Sequence, residues 1–261
     1  MDEAAPPLLI DIAEKVMTVT LNAPRLRNSM AAPGLREGLR AAVDQFSKDL
    51  GINVLVLTGA GGCFSAGGDL GALRQLDAAA LRSRLAEGQW LFRRLILGEK
   101  PVITAVEGPA FGAGMGLAIA ADTVVAARGA RFCSAFIRVG AVPDGGLWWS
   151  LPFRVGAARA RDLMLYGEEV SGEEALRIGL ADRLTETGGA LALAQSLAAR
   201  LASGPTLAIR RIRATIRQAP MAFEHAMQAE LDNAPAMFAT EDFREGAAAF
   251  LEKRRPEFKG K

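Results

Sequence analysis

Residues 54–70 read Val54-Leu55-Val56-Leu57-Thr58-Gly59-Ala60-Gly61-Gly62-Cys63-Phe64-Ser65-Ala66-Gly67-Gly68-Asp69-Leu70. An unbroken apolar run ends in a segment dominated by glycine. Such a run lacks the alternation of a half-solvated strand and reads as a strand buried on both faces. The small residues after it let a ligand, or another stretch of chain, approach the backbone closely. The same order of elements recurs downstream. Pro101–Ala105 is a short strand, Gly108-Pro109-Ala110-Phe111-Gly112-Ala113-Gly114-Met115-Gly116-Leu117 is a second glycine-rich loop, Met115–Ala121 is a short apolar helix, and Thr123–Ala127 is a further strand.

A helix N-terminus leaves N–H groups unpaired, with a dipole that favours negative charge. Two loops of this kind can aim two N–H donors at one oxygen. That stabilises a developing oxyanion, and losing one such donor costs about 10²–10³ in rate. Either loop alone is equally readable as a tight turn or as close helix–strand packing. The second loop has Gly112-x-Gly114-x-Gly116 rather than G-x-G-x-x-G and lies mid-chain, which argues against a dinucleotide site. No Walker motif is present.

Working outward, Leu8–Ile12 and Val16–Leu21 read as a hairpin joined by Ala13-Glu14-Lys15. Leu35, Leu39, Ala42, Val43 and Phe46 have helical spacing between Pro33 and Asp49. A long helical stretch spans Ala78 to Leu97. From Ala157 the chain reads as mostly helical: Ala157–Leu165, Ser171–Ile178, Ala190–Ala202, Thr206–Arg217, Phe223–Phe238 and Glu241–Lys253, with Gly204, Pro205 and Pro220 as punctuation. The front is thus strand–strand–helix repetition and the back is helical.

The 261 residues, half of them hydrophobic, suffice for one large core or a core with an appendage. Charge is near balance, 31 basic against 29 acidic residues, so nothing suggests a nucleic-acid surface, while a phosphate-bearing ligand is easily accommodated. Cys63 and Cys133 stand apart from any CxxC or Cys/His cluster, which argues against a metal site. As free thiols they fit a reducing, cytoplasmic setting. Met1–Pro7 lacks the basic and apolar regions of a signal peptide. The apolar stretch Ala110–Ala127 is broken by glycines and Asp122, so no membrane span is expected.

The string from Val54 to Leu70 resembles the signature of the enoyl-CoA hydratase/isomerase (crotonase) family. Pro101-Val102-Ile103-Thr104-Ala105-Val106-Glu107-Gly108-Pro109-Ala110-Phe111-Gly112-Ala113-Gly114 resembles it as well, and residues 240–261, from Thr240-Glu241-Asp242 through Arg254-Arg255-Pro256 to Lys261, resemble that family's C-terminal segment. The resemblance runs from about Leu8 to the last residue. It implies an α/β fold, a crotonase-like spiral of ββα repeats over residues 1–200 carrying an acyl-CoA site. Residues 201–261 would form a helical C-terminal region that packs homotrimers or hexamers. It implies a coenzyme A thioester as substrate, with no further cofactor, and the N–H groups of Gly68 and Ala113 as its oxyanion hole. Ala113 departs from the family's usual glycine; an alanine N–H donates equally well at negative φ. Arg25 and Leu26, in Ala23–Asn28, would lie against the pantetheine and phosphate end, with Ala66 on the adenine side. Phe258 and Lys259 or Lys261 would reach a neighbouring subunit's nucleotide. For Arg25, Arg27 and the terminal lysines, ordinary solvated surface is the competing reading.

The hydratases of this family share the work between two glutamates. The corresponding positions here are Gly116 and Phe136, neither of which transfers a proton. A positioned acid or base contributes about 10²–10⁴ each, so efficient hydration is not expected. Asp144, in Pro143-Asp144-Gly145-Gly146, stands where isomerising members keep a proton shuttle and a dehalogenating branch a nucleophile. Turn chemistry, or an N-cap for residues 146–151, would explain it equally without function. The dehalogenases also need a histidine by the acyl pocket, and the only histidine, His225, reads as an ordinary helix residue. Phe64, Trp90, Phe136, Trp148 and Trp149 are candidates to line the acyl pocket, against a core role. Glu168, Glu169, Glu173 and Glu174 read as solvated helix starts. The expectation is an enoyl-CoA isomerase using Asp144, with a hydratase or other lyase, or a non-catalytic acyl-CoA-binding relative, as alternatives.

Overall fold

The computed structural model describes residues 6–69, 71 and 74–261. Strands β1 (Leu8–Ala13) and β2 (Val16–Leu21) form the expected hairpin. Helix α1 (Leu35–Lys48) then leads to the buried strand β3 (Val54–Gly59), and α2 (Ala78–Leu97) leads to β4 (Val102–Val106). Next come β5 (Pro109–Phe111), α3 (Ala113–Ile119), β6 (Thr123–Ala127) and β7 (Arg131–Cys133). The order β1-β2-β3-β4-β6-β9 makes a six-stranded sheet, and β5-β7-β8 a small one beside it. Apart from the antiparallel hairpin, every pairing in the large sheet is parallel. Parallel strands need crossovers, and α1, α2 and α3 supply them.

Because side chains alternate across a strand, β3 splits its residues between two cores. Leu55 and Leu57 join Leu35, Leu39, Phe46, Leu91 and Met115 on one face. Val54 and Val56 meet Ala190, Ala194, Ala198 and Ala202 on the other. Those alanines recur every four residues along α6 (Ala190–Ala202), so the stripe lets the helix lie close on the sheet.

The back half departs from the sequence expectation in two places. Helix α4 (Leu147–Tyr166) begins ten residues before the expected Ala157, with non-helical backbone at Gly156 merging two helical pieces. Strands β8 (Glu169–Ser171) and β9 (Arg183–Thr185), flanking α5 (Gly172–Arg177), lie where only helices are expected. They are three residues long and take their identity from the edge strands they join, β7 and β6. Helix α6 spans Ala190–Ala202, the bounds expected from the sequence.

The tail is α7 (Thr206–Ile216), α8 (Phe223–Phe238) and α9 (Glu241–Glu252). A buried Arg213 on α7 ties it to the core: Nε donates to Asp122 at 2.5 and 2.6 Å, and Nη2 to the Leu95 carbonyl at 2.6 Å. Asp122 also accepts from the Val102 N–H at the start of β4. Among the described residues, no helix is long and apolar enough to cross a membrane.

Candidate active site

Both glycine-rich loops leave the sheet at the carboxyl ends of neighbouring parallel strands, β3 and β4, where open α/β sheets place their ligands. They are laced together. The Ser65 N–H donates to the Pro109 carbonyl at 3.0 Å, and the Phe111 N–H to the Ser65 carbonyl at 2.9 Å. Gly67 adopts φ +85°, and a Cβ there would stand 2.5 Å from the Phe111 oxygen and 3.1 Å from the Ala113 nitrogen. Only glycine fits that contact.

Ala113 is the first residue of α3, so its N–H has no intrahelical acceptor. Among the described residues, neither its N–H nor that of the exposed Gly68 is bonded to any acceptor. Two free donors from adjacent backbones, one at a helix N-terminus, can hold one anionic oxygen.

The segment 23–30 fixes the first loop from below. Asn28 is fully buried with φ +51°. Its amide donates to the carbonyls of Ala60 at 2.9 Å and Cys63 at 2.6 Å, and its Oδ1 accepts from the Ala23 N–H. Ser65 Oγ donates to the Asn28 carbonyl and accepts from the Gly67 N–H. The Met30 N–H and Ser29 Oγ both donate to the Gly67 carbonyl. Sequence reading passed over Asn28 and Ser65. The available signal was an Asn in a turn before a helix, a residue type that tolerates the left-handed region and bonds nearby backbone.

Asp144 reaches the same place from the other side. A Cβ on Gly145 would lie 3.4 Å from the Ala113 Cα and 3.2 Å from the Phe92 ring. The N-cap of α4 is Gly146, with no side-chain cap bond, so Asp144 is not a capping residue. Its Oδ1 is buried with no hydrogen-bond partner among the described residues. Burial pushes its carboxyl above the ordinary range, opposed by the positive charge of Arg36.

The two positions that lack glutamate behave differently. Gly116 is buried in α3, and a Cβ there would stand 2.4 Å from the Gly145 carbonyl oxygen. Half-buried Phe136 sets its ring against Gly112, 3.7 Å from a Cβ built there. An aromatic wall and a backbone carbonyl therefore stand where carboxylates would.

Residues 11–261 match the profile of the family described as enoyl-CoA hydratase/isomerase. The chain belongs to that family. The 1,2-epoxyphenylacetyl-CoA isomerase of Escherichia coli K12 is 38% identical over 260 residues, covering 97% of this chain and 98% of its own. The crotonyl-CoA hydratase of Syntrophomonas wolfei is 33% identical over 253 residues, covering 96% and 97%. The solved enoyl-CoA hydratase of Bacillus anthracis superposes with a TM-score of 0.92 at 28% identity, covering 98% of this chain and all of that one. The crotonase-like α/β spiral with its helical C-terminal region is therefore the fold of this enoyl-CoA hydratase/isomerase family member.

Other expected contacts divide. Arg25 and Leu26 are exposed on the 3-10 turn Pro24–Leu26, beside the first loop. Half-buried Ala66 spends its N–H on the Arg27 carbonyl at 2.9 Å, so only its carbonyl is left for a ligand. Phe64 is a correction: it is fully buried in the main core and packs rather than lining a pocket. Trp148 stands beside the Asp144 turn. It is 63% exposed, and its Nε1 donates to the Pro143 carbonyl at 2.7 Å, bracing the Asp144 turn from outside. Trp149 stacks on Phe153 and lines a separate cavity of 380 Å³ with Asp122, Arg154 and Arg213.

Phe258 and Lys261 are not brought to the site within this chain. Phe258 shares a cavity with Glu14 and Lys15, at the start of β2, opposite the strand ends that carry the loops. The Lys261 carbonyl accepts from the Asp242 N–H, and Asp242 in turn accepts from the N–H groups of Lys259 and Gly260. Phe92 and Ile96, which press on Gly145 and Gly146, are the site neighbours that sequence reading missed. Among the described residues, no three His, Cys, Asp or Glu side chains cluster as metal ligands would.

Proposed function

We propose that this acyl-CoA-processing chain moves the double bond of an enoyl-CoA, with Asp144 as the proton shuttle. The thioester oxygen docks on the N–H groups of Gly68 and Ala113. Asp144 takes a proton from C2 of a 3-enoyl thioester. The electron pair spreads through a dienolate onto the thioester oxygen, where the two N–H groups and the N-terminus of α3 stabilise it. The same carboxyl, now protonated, returns the proton at C4, which leaves a conjugated 2-enoyl thioester and a regenerated carboxylate.

The observation that carries this reading is the Asp144 carboxylate itself. One of its oxygens, Oδ1, is buried without a hydrogen-bond partner among the described residues, and the half-buried side chain lies one residue from the glycine packed on Ala113. A carboxylate that is neither cap nor ion pair has no structural use to offset its desolvation. Its raised pKa makes it the stronger base. The N–H of Ala113 at the helix start is the oxyanion donor, and Arg25, Leu26 and the Ala66 carbonyl are the coenzyme A contacts on this chain. In a homotrimer or hexamer, Phe258 and Lys261 would contribute to a neighbouring copy's nucleotide site.

Hydration is the second reading, favoured by relatives named hydratases, such as the S. wolfei protein. Against it stand the glycine at 116 and the phenylalanine at 136. Incubation with crotonyl-CoA and with 3-hexenoyl-CoA separates the two. Formation of a conjugated enoyl thioester from the second supports isomerisation, and loss of the first's conjugated absorbance supports hydration.

A further inference from the structure

Helix α2 carries its inward row through Leu81, Arg84, Gly88, Leu91, Phe92, Leu95 and Ile96. The C-terminal half of that row is apolar and closes on Gly145 and Gly146. The N-terminal half holds a glycine and an arginine. No described residue comes within 4 Å of a Cβ built on Gly88. Glycine is disfavoured in a helix interior, and here it leaves an open space one turn beyond Phe92, the residue that touches Gly145 beside Asp144.

Arginines stand on the same pair of helices. Helix α1 packs on α2 so that Arg40 stacks on Trp90, 4.9 Å from the ring centre, and Arg94 lies 5.6 Å from the same ring. Arg36, one turn earlier on α1, is half-buried and feels the charges of Arg84, Glu37, Glu87 and Asp144. Glu37 and Glu87 are exposed. Among the described residues, neither Arg36 nor Arg84 makes an ion pair or a side-chain hydrogen bond. Two half-buried guanidinium groups without partners among the described residues, one of them a helical turn from Gly88 and the other within reach of its charge, can form a receptor for an anion.

We propose that the space at Gly88 takes the far end of the acyl chain, and that Arg36 and Arg84 select chains ending in a carboxylate. This rests on the acyl-CoA site proposed above and adds its substrate class. The acyl chain leaves the oxyanion donors past Asp144 and Phe92, and a chain a few carbons long brings its end to Gly88. A carboxylate there accepts the planar forks of the two arginines, which a methyl end leaves desolvated and unpaired.

The test is titration of two six-carbon trans-2-enoyl-CoA thioesters, one ending in a carboxylate and one in a methyl group, into the full-length Asp144→Asn chain. No turnover is needed, so failure of the isomerase reading does not affect it. The carboxylate-ended compound is expected to bind about tenfold or more tightly, the worth of a charge-assisted hydrogen bond. Adding Arg84→Gln or Arg36→Gln should bring the ratio towards one. Gly88→Leu should weaken both six-carbon compounds relative to crotonyl-CoA. A ratio of one or less in the Asp144→Asn chain, or a ratio untouched by both arginine substitutions, overturns the proposal. If neither thioester binds, the acyl-CoA site falls with it, and the two failures are thus told apart.

Discussion

Gly116 faces the backbone carbonyl of Gly145, so closely that a Cβ on Gly116 would stand 2.4 Å from that oxygen. The loop bearing Asp144 thus occupies the volume a glutamate at 116 would need. Gly116→Glu is therefore expected to displace the Asp144 turn, lower Tm and abolish double-bond migration without creating a hydratase. Crotonyl-CoA hydration by the variant, followed by absorbance, would show that the two carboxylates can coexist and would contradict this.

Asn28 supports the oxyanion loop through three hydrogen bonds from a left-handed backbone. Asn28→Ala strands two carbonyls and an N–H. It is expected to cost about 3 kcal/mol in urea unfolding, since each buried group left unpaired costs about 1–3 kcal/mol and such losses do not simply add. The kcat should fall with stability, because the Gly68 N–H loses its support.

Arg213 is 5% exposed and holds Asp122 across the junction of core and tail. Arg213→Ala leaves the Leu95 carbonyl unpaired and the partly exposed Asp122 carboxylate without its cation, which costs about 1–3 kcal/mol. Calorimetry should show a fall in Tm of roughly 5 °C. Arg213→Met paired with Asp122→Leu should recover much of it, because removing both charges is milder than removing one.

The raised pKa of Asp144 sets two pH dependences. The base form is lost as pH falls through a value above the ordinary carboxylate range, so kcat/KM should decline on the acid side there. For stability the sign is opposite. With the folded pKa above the unfolded one, ionised Asp144 destabilises the fold at neutral pH, and this cost disappears below the unfolded value near about 3.9. Asp144→Asn should therefore raise Tm at pH 7 and lose that advantage at low pH. A variant less stable than the parent at pH 7 would contradict the burial argument.

Much of this was legible in the chain itself. The run Val54–Thr58 announces a strand buried on both faces because parallel strands lack alternation. Helices α2, α6 and α8 are readable to within a residue because their apolar rows are long. The three-residue strands β8 and β9 are not, since their pairing comes from neighbours distant in sequence. At the site, Gly68, Ala113 and Asp144 are marked by glycine-rich strings. Asn28, Phe92 and Gly88 are not, because their roles depend on what packs against them. Phe64 sits inside the signature string and yet belongs to the core: proximity in sequence to a ligand loop does not decide which face a side chain takes.

The most direct test is the rate at which Asp144→Asn forms a conjugated enoyl thioester from 3-hexenoyl-CoA, with thioester binding measured alongside. The account predicts a kcat lower by about 10²–10⁴ and thioester binding retained. Undiminished turnover would contradict it, because it would mean that some other group carries the proton beside Ala113.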